Sequence, residues 1–214
     1  MGSADSLRAA LAADIATLRA EGLYRWLRDF DALQDPVLRV DGREVVMLSS
    51  SNYLGLARHP RLVAAAMKAA AGHGASSGSS RLIAGNHPLY GVLEESLARF
   101  KGVDAALVFA TGYLANIGVI PALADEGDVI FSDALNHASL VDGCRLSRAR
   151  VEIFRHNDPQ TLEDGLRRNS GARRKLVLVD GVYSMDGDLS PLPELLETCE
   201  RHGAWLMLDD SHGT

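Results

Sequence analysis

The 214-residue chain has two cysteines, Cys144 and Cys199, far apart and outside any CxxC or Cys/His spacing that could bind zinc. Buried, idle thiols are the expectation for both. Positive charge is also short: the formal net charge is −6, and the one basic cluster is "RRK" at 173–175. That balance leaves no electrostatic footprint for nucleic acid. No apolar run approaches the length of a membrane span. The start "MGSADSLRAALAAD" lacks the basic and apolar regions of a secretory signal. A soluble cytoplasmic protein with neither nucleic acid nor membrane as partner is expected. Internal repeats and low-complexity linkers are missing as well.

What is present is an ordinary globular composition, 47% hydrophobic and 23% charged, enough for one large domain or most of a bigger one. From Asp5 to about Phe30, Leu7, Leu11, Ile15 and Leu18 recur with a helical period, which predicts an amphipathic N-terminal helix. The turn "DGR" at 41–43, flanked by "VLRV" and "EVVML", predicts a short hairpin. Pro60 and Gly72/Gly74 bracket a second helix, and a third runs from about Pro88 to Phe100.

Beyond that point the chain alternates. "AALVFAT" (105–111), "DVIFSD" (128–133), "VEIFRH" (151–156), "KLVLVD" (175–180) and "WLMLDD" (205–210) are short apolar strands. The intervening helices begin near Gly112, Ala138, Pro159 and Pro191. Nearly all-apolar strands alternating with helices predict an α/β fold: a mostly parallel sheet covered on both faces. In such sheets ligands gather at the carboxyl ends of the strands. Those ends read "FATGY", "FSDALNHAS", "VDGVYSMDGD" and "LDDSHGT", each a polar or glycine-bearing cluster.

Taken singly, the motifs are weak. Residues 74–78, "GASSG", match a GxSxG nucleophile elbow, but a helix and not a strand precedes the serine, which argues against a hydrolase. Asp209, Asp210 and His212 resemble metal ligands, yet side chains alternate along a strand, so Asp209 and Ser211 face one side and Asp210 and His212 the other until the turn re-aims them. No metal site is expected. Thr111 and Gly112 open a helix whose N–H groups could meet a phosphate. Read alone, His137 fits a capping or surface histidine better than a catalytic one, and His212 fits an ordinary loop histidine.

Seven segments in order carry more: "SSNYLGL" (50–56), "GSSRLIAG" (78–85), "FATGYLAN" (109–116), "SDALNHASLVDG" (132–143), "HND" (156–158), "DGVYSMDGDLSPL" (180–192) and "LMLDDSHGT" (206–214). Together they resemble the α-oxoamine synthases, fold-type I enzymes that use pyridoxal 5′-phosphate (PLP). The resemblance implies a PLP-binding large domain over residues 46–214, preceded by a helix and hairpin segment at 1–45. It implies that Asp209 pairs with the pyridine nitrogen, that Ser184 and His212 hydrogen-bond the phenolic oxygen, and that His137 stacks on the ring and meets substrate. Gly112 and Tyr113 would hold the phosphate through backbone amides. His137, Asp209 and His212 are the residues implied in catalysis, and Asp210 reads as a supporting carboxylate. Arg25, with Arg28 as a near competitor, falls where the family places a basic residue for the acyl substrate's carboxylate.

The reaction so implied joins an amino acid, L-alanine in the best-matching member, to an acyl thioester such as pimeloyl-CoA, with loss of CoA and carbon dioxide, as a step towards biotin. The runner-up is a member joining glycine to acetyl-CoA. The family forms homodimers. It also needs a lysine to hold PLP, and Lys68, Lys101 and Lys175 lie in none of the right context. The chain is therefore expected to be the N-terminal half of such an enzyme, short of the lysine and of a small C-terminal domain. The other expectation is an incomplete, non-catalytic PLP fold.

Overall fold

Turn and cap residues set most of the helix boundaries. In a computed structural model, which describes residues 3–27, 29–30 and 36–214, the chain forms two units, Met1–Ala75 and Ser76–Thr214. The first holds α1 (Ser3–Ala20), a hairpin of β1 (Val37–Val40) and β2 (Arg43–Val46), and α2 (Pro60–His73). The N-terminal helix is shorter than its periodicity suggested: Gly22 takes a positive φ of 69°, and the Leu23 and Tyr24 amides turn back to donate to the Leu18 carbonyl. Asp41 and Gly42, both at positive φ, make the tight hairpin turn. His59 caps α2, Pro60 occupies its first turn and Gly74 follows its end.

The second unit holds α3 (Pro88–Lys101), α4 (Gly112–Leu123), β3 (Val129–Asp133), α5 (Ala138–Ser147), β4 (Arg150–Phe154), α6 (Pro159–Arg168), β5 (Lys175–Asp180), α7 (Leu192–His202) and β6 (Trp205–Asp209). The four strands pair in parallel in the order β4-β3-β5-β6. Alternation along the strands sorts the core into two layers. Val129, Phe131, Val177 and Val179 pack against Leu162 and Leu166 of α6 and Leu195 and Cys199 of α7. Ile130, Leu176 and Leu178 pack against Ile120 of α4 and Leu140 and Cys144 of α5. Helices therefore cover both faces. Cys144 and Cys199 are buried in these layers, and burial pushes both thiols up to about 11.

The segment "AALVFAT" corrects the expectation of a further strand: residues 105–109 belong to no helix or strand. Its polar backbone is met by side chains instead. The Val108 N–H donates to Glu94 (2.9 Å) and its carbonyl accepts from Arg81 (3.0 Å), two residues that also pair with each other at 2.7 Å. No helix among the described residues is long and apolar enough to cross a membrane.

The strand order places the site. From β3 the chain crosses to β4 on one side, and from β5 it crosses to β6 on the other, so the connections leaving β3 and β5 diverge and open a crevice at their carboxyl ends.

Candidate active site

His137 follows β3, Asp180 ends β5, Ser184 lies in the loop after β5, and Asp209 ends β6. All four line one small cavity of about 100 Å³, closed by Gly112 and Tyr113 at the start of α4 and by Ser139, Ser211 and His212. Six of the seven residues implied by the motifs thus converge at the divergence point of the sheet. Arg25 belongs to the first unit, where it is exposed, and Arg28 lies outside the described residues.

Local geometry explains each placement. The Thr111 hydroxyl caps α4 by accepting the Leu114 N–H at 3.1 Å, which leaves the Gly112 and Tyr113 amides as those that a helix start turns towards an anion. The Tyr113 hydroxyl donates to Asp142 (2.5 Å), and this bond raises the phenol's pKa while lowering that of the carboxyl. His137 is both cap and cavity residue: its Nδ1 accepts the Ser139 N–H at 3.2 Å, and its own N–H donates to Asp180 at 2.8 Å. Asn136 ties the same loop to β5, donating to the Leu178 carbonyl and accepting the Asp180 N–H.

Asp180 and Asp209 are register partners on adjacent strands. Burial raises the pKa of Asp180, the nearby Asp209 charge adds to the rise, and the His137 N–H works against it. Asp209 is met from both sides. Its Oδ1 accepts the Ser211 N–H (3.1 Å) and hydroxyl (2.5 Å), and its Oδ2 accepts from Asn116 Nδ2 (2.7 Å). The turn after β6 re-aims His212 into the cavity. Asp210 points elsewhere, to Lys101 Nζ at 3.0 Å and to the Thr214 hydroxyl.

Motif reading missed Asn116, Ser139, Asp180 and Ser211. Asn116 carried a usable signal: a polar residue inside the otherwise apolar "GYLANIGVIPAL" must find a partner when buried, and it is 5% exposed. Asp180 was legible only as a strand end. Ser139 looks like any serine in the first turn of a helix, and Ser211 like any loop serine, until the fold brings them to His137 and Asp209.

Residues 43–214 match the family model for aminotransferases of class I and II. The 8-amino-7-oxononanoate synthase of Geobacter sulfurreducens is 55% identical over 204 residues, which cover 95% of this chain and 52% of that protein. The one from Geobacter metallireducens is 52% identical with the same coverage of each chain. Among solved structures, the serine palmitoyltransferase of S. paucimobilis with bound PLP and myriocin superposes with a TM-score of 0.84 at 33% identity, covering 93% of this chain and 50% of that one. The chain spans about half the length of the curated relatives it matches. With a family match over most of its length and a parallel α/β sheet that gathers its polar strand ends into one cavity, the chain belongs to the class I and II aminotransferase family.

Proposed function

We propose that the full-length protein is a PLP-dependent acyltransferase that condenses L-alanine with a pimeloyl thioester to give 8-amino-7-oxononanoate, a step of biotin synthesis. The observation that carries this reading is the convergence of His137, Ser184, Asp209, His212 and the α4 start on a single cavity, in a chain 55% identical to a synthase of that name.

The donor set fits PLP. A helix start suits its phosphate, a carboxylate held by three donors suits its ring N–H, and imidazole and hydroxyl groups suit its phenolic oxygen. When bound, PLP supplies an electron-withdrawing ring that stabilises negative charge on the amino acid's α-carbon. In our assignment Asp209 keeps the ring nitrogen protonated, which sustains that withdrawal. Ser184 and His212 would hold the phenolic oxygen, and the Gly112 and Tyr113 amides would hold the phosphate. His137, which lines the same cavity, would meet the ring and the amino acid. Arg25, whose guanidinium can pair with a carboxylate in bidentate fashion, is assigned to the distal carboxylate of the acyl chain.

Among the described residues, no lysine lines the cavity. Lys101 is engaged by Asp210 and Thr214, and Lys175 Nζ donates to the His202 carbonyl at the far end of β5. We therefore assign the amine that holds PLP to a part of the full-length protein outside these 214 residues. By the same reading the protein is cytoplasmic and works as a homodimer.

The test is a titration of the full-length protein with PLP, followed by the visible band of lysine-bound PLP and its fixation by borohydride. A substrate panel then compares L-alanine with pimeloyl-CoA, glycine with acetyl-CoA, and L-serine with palmitoyl-CoA. Turnover of the first pair is expected. Absence of PLP binding, or preference for another pair, overturns the assignment.

A further inference from the structure

We infer that Asn116 and Ser139 form a directional hydrogen-bond relay that orients Asp209 and sets the tautomer of His137, which makes Asn116 a positioning residue of the site. Asn116 lies in α4, Ser139 at the start of α5, and Gly143 lets the two helices approach: a Cβ there would meet Ile120 Cδ1 at 2.6 Å and the Asn116 carbonyl at 3.1 Å. This contact carries the Asn116 side chain to the end of β6.

The direction of each bond follows from counting protons. Asn116 Nδ2 has two. One reaches Asp209 Oδ2 at 2.7 Å and the other Ser139 Oγ at 2.9 Å. The flipped amide is excluded because it would set a carbonyl oxygen against a carboxylate. Ser139 Oγ, already accepting from Asn116, has its own proton left to give, and His137 Nδ1 lies 2.7 Å away. The Ser139 N–H also points at Nδ1, at 3.2 Å. A nitrogen that accepts from two donors carries no proton, so the ring proton of His137 sits on Nε2. Nε2–H is then the donor edge that His137 keeps for a ligand in the cavity.

The other end of the relay prepares Asp209. Ser211 holds Oδ1 and Asn116 holds Oδ2, so the carboxylate is fixed in orientation before any ligand arrives. One buried amide thereby links the strand-end carboxylate to the imidazole across the cavity. Asn116 itself is 5% exposed and Ser139 1%, so neither is a surface contact.

What the relay serves rests on the PLP reading, but its existence does not, and two measurements keep these apart. In the full-length protein without cofactor, selective ¹⁵N-histidine labelling and NMR report the tautomer, with His137 assigned from the signal lost in His137→Gln. Nε2–H is expected in the unmutated protein, and loss of that bias in Ser139→Ala. A predominant Nδ1–H tautomer overturns the relay. In the second measurement, PLP titration, Asn116→Ala and Ser139→Ala each bind roughly tenfold more weakly, and Ser139→Thr, which keeps the hydroxyl, restores affinity. Equal affinity in all four proteins refutes a positioning role. Should the unmutated protein bind no PLP, the functional reading fails while the tautomer still decides the relay. If Asn116→Ala does not fold, Ser139→Ala, which removes a single oxygen, carries both arms.

Discussion

The two ends of the four-stranded sheet treat charge in opposite ways. At the amino end, Asp128 is 1% exposed and saturated: Arg173 Nε and Nη2 each donate at 2.8 Å and the Asp125 N–H at 2.9 Å. The Arg173 guanidinium holds the Asp128 carboxyl well below the usual range, at about 2. At the carboxyl end, Asp209 is held by an amide, a hydroxyl and a backbone N–H, with no arginine or lysine bonded to it among the described residues. Bidentate pairing neutralises a carboxylate and stabilises the fold, whereas neutral donors orient it and leave its charge for a ligand. The contrast separates a structural end from a working end on one scaffold.

The largest expected effect tests the working end. Asp209→Ala in the full-length protein should lower turnover by at least about 10³-fold through loss of the ring-nitrogen partner, while the melting temperature stays within a few degrees. Near-normal turnover would remove Asp209 from the site. The next concerns the structural end: Asp128→Asn should cost about 1–2 kcal/mol at pH 7, read from urea midpoints. The sign follows from the depressed carboxyl. Its contribution is present above the ordinary Asp value of 3.8 and is lost as pH falls through about 2, so the unmutated protein loses stability over that window and Asp128→Asn loses less.

The smallest effect asks whether a charged histidine at the carboxyl end stabilises the fold. His156, just after β4, bridges Asp133 (2.9 Å) and Asp188 (2.7 Å), and packs edge-on against Tyr183. Burial opposes its charge, yet the two carboxylates together raise its pKa above 6.5. This stabilisation is complete below pH 6.5 and fades as pH rises through the elevated value. Urea midpoints of the unmutated protein should therefore drop between pH 6 and pH 9, and those of His156→Gln should stay flatter. A flat profile in both proteins would show that His156 does not stabilise the fold through Asp133 and Asp188.

Much of this was legible in advance where a local rule suffices. "KLVLVD" reads as a buried strand and forms β5 over those same six residues. Pro60 and Gly74 bracket α2, and Asp41 and Gly42 make the turn they suggest. Local rules failed where a distant partner decides. "AALVFAT" has the composition of a strand, but a strand needs a neighbour, and Arg81 and Glu94 take up the Val108 backbone instead. Periodicity likewise carried the first helix too far, because a left-handed Gly22 ends it while apolar residues continue.

The sequence by itself determined the alternation of strands and helices, the polar strand ends and the family they resemble, because apolar period, caps and turn residues act within a few positions along the chain. Only the tertiary structure decided which polar ends meet. Asn116 and Asp209 are 2.7 Å apart across 93 positions of sequence, joined by the strand order and by the close contact of α4 with α5. A hydrogen bond depends on distance and direction in space, and neither is written in the spacing of residues along a chain.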